Sequence, residues 1–260
     1  MVLRMAKKPY ILTLHGGNLP QFSRNRRWRV ARLLRSAKVV TTPSRYLFEQ
    51  MCPYHDAMVL LPNPLDIHAC SFRLRSVAQP RLCWLRAFHS VYNPTLAVRV
   101  LHQLSQEFPD ISLVMVGGDK GDGTWQEVQE LAKKLGVFER LEMPGAVPKS
   151  EVPQWLQKGD IFLNTTNVDN TPVSVLEAMA CGLCVVSTNV GGLPYLLTNE
   201  EDALLVPPQD VEAMVSAVRR FLTEADLAKR LSLNACKKAE QCDWNIVLPK
   251  WEKLLQEVAK

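Results

Sequence analysis

Short apolar runs and amphipathic stretches alternate along almost the whole chain. Runs rich in Val, Ile and Leu at 10–14, 38–42, 58–61, 82–85, 111–116, 141–143, 160–164, 184–188 and 203–206 predict strands. Several are apolar at consecutive positions, as strands covered on both faces of a parallel sheet must be. Between them, residues 26–36, 45–51, 94–107, 124–135, 151–157, 173–180 and 211–222 repeat apolar positions at helical spacing. Beyond Leu222 everything reads as helix, ending in 244–258. Strand–helix–strand order sustained over this length predicts an α/β fold, a doubly wound parallel sheet with right-handed crossovers.

The pattern divides unevenly. Residues 66–80 are polar, have no clear period and follow the turn Pro62-Asn63-Pro64, so a seam is expected there. Six strand candidates follow the seam, enough for a complete doubly wound sheet; only three precede it. The expected units are a partial N-terminal domain at 1–66, an α/β domain at 80–240 and a terminal helix at 241–260. Hydrophobic residues at 47% and charged residues at 22% are ordinary for a globular protein. No apolar run approaches the roughly 20 residues of a membrane span, and the first 17 residues carry no recognisable secretory leader. Seven scattered cysteines argue against a disulfide framework and for a reducing, cytoplasmic setting. Cys181 and Cys184 form a C-x-x-C, but no second pair stands at zinc-ligand spacing and the pair follows a helix instead of opening one.

Candidate chemistry concentrates in residues 164–197, NTTNVDNTPVSVLEAMACGLCVVSTNVGGLPYLL. A strand ends near Asn164, a polar loop follows, and Thr171 and Pro172 suit an N-cap and first helical residue. Polar side chains thus gather at the carboxyl end of a strand, facing a helix N-terminus. In an open α/β sheet that place is a ligand crevice, and the helix end suits an anion such as a diphosphate. Asp169 stands just before the helix and Glu177 inside it, so the two can touch different parts of one long ligand. Spacing alone allows a plainer reading, a capping Asp and a surface Glu.

The order Asp169-x7-Glu177, Ala180-Cys181-Gly182, Val185-Val186-Ser187, Gly191-Gly192-Leu193-Pro194 resembles the signature of the glycosyl transferases group 1 family, retaining enzymes of GT-B fold. The resemblance is specific over 80–222 and looser from Pro9 onward. It implies a Rossmann-like nucleotide-sugar-binding domain, an incomplete Rossmann-like acceptor domain before it, and a final helix crossing back toward that first domain. By resemblance Glu177 holds the ribose hydroxyls of a nucleotide, and Asp169 lies beside the donor sugar. The backbone around Asn170, Thr171, Val173 and Ser174 holds sugar and distal phosphate. The turn Gly145-Ala146-Val147-Pro148 reads the base, and Arg86 grips the diphosphate. His15, in Thr13-Leu14-His15-Gly16-Gly17, faces the sugar across a cleft. A positive group at Arg86 replaces a metal in offsetting leaving-group charge. With no Asp-x-Asp pair in the chain, neither a metal nor another cofactor is expected. The loop 117–123, GGDKGDG, fits neither the Walker pattern nor the dinucleotide fingerprint.

The chain departs from the family in four places. The first acid is Asp169 where Glu is usual. The lysine expected about five residues after the arginine is missing; Lys120 or His89 are the candidates to replace it. Cys184 stands for a proline, and Tyr195 for a common Glu. The family's opening strands and glycine-rich acceptor loop have no counterpart before Pro9. The rival to a transferase is therefore a non-catalytic nucleotide-sugar-binding module.

Charge adds a further partner. The net charge of +5 hides eleven Lys or Arg in residues 1–48, with Glu49 the first acid. In 24–35, RNRRWRVARLLR, Val30, Leu33, Leu34 and Ala37 make one apolar face, opposite Arg24, Arg32 and Arg35 with Trp28 among them. One reading is a solvated face. The other is docking on an anionic membrane surface or a phosphate-bearing lipid acceptor, peripheral at the cytoplasmic side. No recognised nucleic-acid motif accompanies the charge, so nucleic acid is not expected.

Overall fold

The computed structural model describes residues 8–259 and sets them in two parallel sheets. Strands β1 (Ile11–Thr13), β2 (Val39–Thr42) and β3 (Met58–Leu60) form the smaller sheet, in that order. The larger sheet contains β4 (Arg81–Leu85), β5 (Ser112–Val116), β6 (Leu141–Gly145), β7 (Ile161–Asn164), β8 (Cys184–Thr188) and β9 (Leu204–Val206). Its order is β6-β5-β4-β7-β8-β9. Each strand falls on an apolar run, and the pairing is parallel throughout.

Continuous apolar runs are needed because both faces of the larger sheet are covered. Leu82, Trp84, Ile161, Leu163, Cys184 and Val186 point into one core; Cys83, Phe162 and Val185, the intervening residues, point into the other. The helices supply the rest of those cores. In chain order they are α1 (Leu19–Asn25), α2 (Arg27–Leu34), α3 (Arg45–Met51), α4 (Pro94–Leu104), α5 (Thr124–Lys134) and α6 (Val152–Leu156). After them come α7 (Val173–Ala180), α8 (Leu193–Leu196), α9 (Val211–Thr223), α10 (Leu227–Glu240) and α11 (Trp244–Ala259). Helices α4, α5 and α9 cover one face and α7 the other, while α10 gives Leu227, Ala228 and Leu231 to the first core and Ala235 and Ala239 to the second. Helix α11 ends on the smaller sheet, where Leu254 and Val258 join Leu61 against Ile11, Val39 and Val59. Lys38 donates to the Val258 carbonyl at 3.1 Å, a cation at a helix C-terminus. No described helix is long and apolar enough to cross a membrane.

Local differences from the sequence reading have simple causes. α1 and α8 have no counterpart in the sequence reading; α8, at four residues, is too short to show a period, and each carries a proline in its first turn, Pro20 and Pro194. Helix α7 starts one residue later than expected: Pro172 is its N-cap and Thr171 makes no capping bond. On α2, Val30 and Leu34, with Ala37 just beyond, are buried, but Leu33 is 52% exposed. The stripe that meets the small sheet is narrow, and Leu33 lies outside it.

The polar segment 66–80 has no strand, yet it is not loose. Arg75 is 1% exposed, and so is Asp160 at the start of β7. Arg73 donates to Asp160 at 2.6 Å, Arg81 at 3.1 Å and the Gln79 N–H at 2.8 Å, while Arg75 Nε lies 3.5 Å away. Arg75 also donates to the carbonyls of Arg73 and Gly159 at 2.6 and 3.0 Å. Burial, with Arg73 beside it, lowers the Arg75 guanidinium to about 10, still charged at neutral pH. Burial pushes the Asp160 carboxyl upward, but the Gln79 N–H, Arg81 and Arg73 outweigh it and hold it below its ordinary range.

Removing one partner of a buried pair strands the other. Asp160→Asn is expected to cost about 3–5 kcal/mol at neutral pH, far more than Arg219→Ala, whose Glu107 pair is on the surface. A depressed acid stabilises above its unfolded pKa and stops doing so as pH falls through its folded value. Urea unfolding from pH 7 downward should therefore show the Asp160→Asn deficit shrinking below roughly pH 4.

Candidate functional site

Strand order reverses between β4 and β7, so the loops at their carboxyl ends part and leave a crevice. Arg86 follows β4 directly, its backbone N–H bonded to Val116 at 3.0 Å. Its guanidinium lies 4.8 Å from the centre of the Tyr92 ring and pairs through Nη2 with Asp169 Oδ2. The other Asp169 oxygen accepts the Asn170 N–H at 2.8 Å. Burial pushes the Asp169 carboxyl up, against the pull of Arg86 and the Asn170 N–H.

Glu177 lies on α7, one turn inside. Burial raises its carboxyl as well, opposed by the charges of Lys149 and Arg86. Lys149, at the start of a single 3-10 turn (Lys149–Glu151), belongs to the site's electrostatics, and the sequence reading missed it. Its only sequence signal is its place just after Val147 and Pro148. The first intrahelical bond of α7 is Leu176 N–H to Pro172 at 3.4 Å, so the N–H groups of Val173 and Ser174 have no partner within the helix. Arg86 Nε, Asn170 Oδ1 and Ser174 Oγ are buried without a hydrogen-bond partner among the described residues.

Close backbone contacts set these loops. A Cβ on Gly117, φ +152°, would stand 1.7 Å from the Arg86 carbonyl oxygen. One on Gly191, φ +55°, would stand 2.2 Å from that of Asp169. Only glycine fits either place. Lys120 is exposed on the loop after β5, held by its N–H to the Phe88 carbonyl at 3.2 Å. Val147 is half-buried in the loop after β6, packed on the α7 face of the sheet. His15 is exposed beyond β1, and its carbonyl accepts the Asn170 side-chain amide at 3.3 Å. Asn63 donates to the Thr171 carbonyl at 3.2 Å, a second bond between the small sheet and this loop. The structure thus brings Arg86, Asp169, Asn170, Val173, Ser174 and Glu177 together, with His15 and Thr171 at the seam of the two sheets. Lys120 and Val147 stand on adjoining loops at the same strand ends.

Residues 74–238 match the glycosyl transferases group 1 family. The chain belongs to that family. Among its relatives is one component of the phosphatidylinositol N-acetylglucosaminyltransferase of Arabidopsis thaliana, 35% identical over 128 residues, 49% of this chain and 28% of that protein. A D-inositol 3-phosphate glycosyltransferase of Mycobacteroides abscessus is 27% identical over 172 residues, 65% of this chain and 38% of its own. The matches therefore span well under half of these relatives. Anabaena HepE, solved in complex with UDP and glucose, shares the fold at a TM-score of 0.86 and 17% identity, covering 98% of this chain and 73% of that one. Sucrose-phosphate synthase from Thermosynechococcus elongatus does so at 0.83 and 19%, covering 95% and 67%. The GT-B arrangement of two parallel α/β units is thus the fold of this group 1 chain.

The glycine contacts give a direct check on how the site is set. Gly121 has φ +75° but nothing within 4 Å of an added Cβ, so Gly121→Ala should cost about 1–2 kcal/mol of left-handed strain alone. Gly191→Ala adds a collision with the Asp169 backbone and should cost clearly more. Urea midpoints of the two variants measure the difference; equal midpoints would contradict the packing described.

Proposed function

We propose that this chain carries the donor site of a retaining, metal-independent glycosyltransferase. It would move a sugar from a nucleotide-diphosphate sugar to an acceptor hydroxyl. The observation that carries the reading is the set of buried, unpartnered polar atoms on Arg86, Asn170 and Ser174, in one crevice at the start of α7. Leaving such groups unpaired costs about 1–3 kcal/mol each, a cost a polar ligand relieves. A helix N-terminus and a guanidinium at one crevice suit the charge of a nucleoside diphosphate bearing a sugar.

In this reading Glu177 takes the ribose hydroxyls, the loop at Val147 faces the base, and Arg86 takes the diphosphate with Lys120 nearby. The N–H groups of Val173 and Ser174, with Asn170 and Thr171, hold sugar and distal phosphate. The acceptor oxygen bonds to the anomeric carbon on the face from which the diphosphate leaves. Arg86 and the end of α7 stabilise the departing phosphate, while Asp169 and His15 position the sugar. Arg86 does the work a metal would otherwise do.

The names of the Arabidopsis and Mycobacteroides relatives point to inositol-containing acceptors, which supports a sugar or lipid-linked acceptor here. Exposed Phe22, Trp28 and Leu33 stand on α1 and α2 among Arg24, Arg27, Arg32 and Arg35, with Arg32 over the Trp28 ring at 5.3 Å. That surface favours a peripheral place on an anionic membrane, at the cytoplasmic side. The second reading, a nucleotide-sugar-binding module without turnover, rests on the small sheet of three strands beneath an exposed His15.

Calorimetry with UDP and GDP tests the donor site. One of them should bind equally well with and without EDTA, and Glu177→Ala should weaken it by about 1–3 kcal/mol. Loss of binding in EDTA would remove the metal-free reading; unchanged affinity would remove Glu177. Binding without sugar transfer to any exogenous acceptor would favour the second reading. Flotation with phosphatidylserine vesicles tests the surface: wild type should float, and Trp28→Ala combined with Arg32→Glu should reduce it severalfold. Equal flotation would leave the basic face as ordinary solvated surface.

A further inference from the structure

Both oxygens of Asp169 are engaged by the protein itself. Oδ1 accepts the Asn170 N–H at 2.8 Å and Oδ2 pairs with Arg86. The two side chains are 13% and 16% exposed, so water screens the pair weakly. The backbone of Asp169 is fixed, so the pair opens through its side chains. The Gly192 N–H bonds the Asp169 carbonyl at 3.2 Å, and Gly17 and Gly191 lie against the same peptide. Arg86 is held by the Tyr92 ring, while its Nε stays buried and unpartnered. The group that would take a diphosphate is therefore occupied by an anion of the protein's own, and the group that would take the sugar is occupied by that cation.

We propose that Asp169 is a resident counter-ion of Arg86 which the donor's diphosphate displaces, so that phosphate capture frees the carboxylate for the sugar. The inference rests on the donor-site reading above. A nucleotide sugar fills both halves of the exchange: its phosphates replace Asp169 on Arg86, and its hydroxyls replace Arg86 on Asp169. A bare nucleoside diphosphate fills only the first half and leaves a buried carboxylate facing its own negative charge. Ligands that require the opened pair bind with an affinity reduced by the fraction of molecules in which it is open. The pair thus selects donor over product. After transfer Asp169 recaptures Arg86 and assists release of the diphosphate, which makes it a specificity-determining residue as well as a positioning one.

Asp169→Asn keeps the shape of the loop and can still accept the Asn170 N–H, but cannot neutralise Arg86. Calorimetry would compare UDP, GDP, UDP-glucose and GDP-mannose on wild type, Asp169→Asn and Asp169→Ser, with thermal melts confirming the fold of each. The diphosphate that binds wild type should bind the variants about 3–30-fold tighter. The matching sugar nucleotide should gain less, so that its advantage over the diphosphate shrinks. A residue that merely supports the loop would weaken both ligands on substitution, and that result, or unchanged diphosphate affinity, overturns the proposal. Crystals of the wild type with UDP give an answer independent of variant folding: Arg86 on the diphosphate and parted from Asp169 supports it, and an intact pair overturns it. Failure of the wild type to bind any of the four ligands would instead strike the donor-site reading itself.

Discussion

The reversal of strand order between β4 and β7 is the constraint on which the larger unit depends. The chain leaves β4 to lay α4 on one face of the sheet and leaves β7 to lay α7 on the other. Two neighbouring strands whose continuations part in this way cannot close the gap between their carboxyl ends. Arg86 stands on one lip and Asp169 on the other, and the helix with its free N–H groups begins behind the second. The opposite end of β7 has the reverse character: there Asp160 is sealed under Arg73, Arg75 and Arg81 and has no vacancy for a ligand. One strand therefore has a carboxylate sealed under arginines where it starts and a second, paired with Arg86 at the lip of the crevice, past its end.

Much of this was legible in the sequence. Strands buried on both faces announce themselves as runs of Val, Ile and Leu, and the long helices by their period. The family signature singles out Asp169, Glu177 and Gly191-Gly192, and its spacing encodes loop contacts: Gly191 and Gly192 are where the backbone of 169–170 touches. What stayed hidden is what depends on distant partners. Arg75, in a polar stretch without period, gives no sign that it will be buried, because its counter-charge lies 85 residues away at Asp160. Lys149 acquires its meaning only through the burial of Glu177. Leu33 reads as core on a helical wheel, and only the narrowness of the sheet under α2 leaves it in solvent. The four-residue α8 falls below what a period can reveal.

Two hydrogen bonds straddle the acid-bearing loop from the same side. Asn170 reaches the His15 carbonyl beyond β1, and Asn63, beyond β3, reaches the Thr171 carbonyl. Since β1 and β3 are the outer strands of the small sheet, the loop is tethered at both margins of that unit, like a plank bolted across two rails. A change in the angle between the two sheets would load these two bonds, and with them the loop that carries Asp169, before any other part of the crevice.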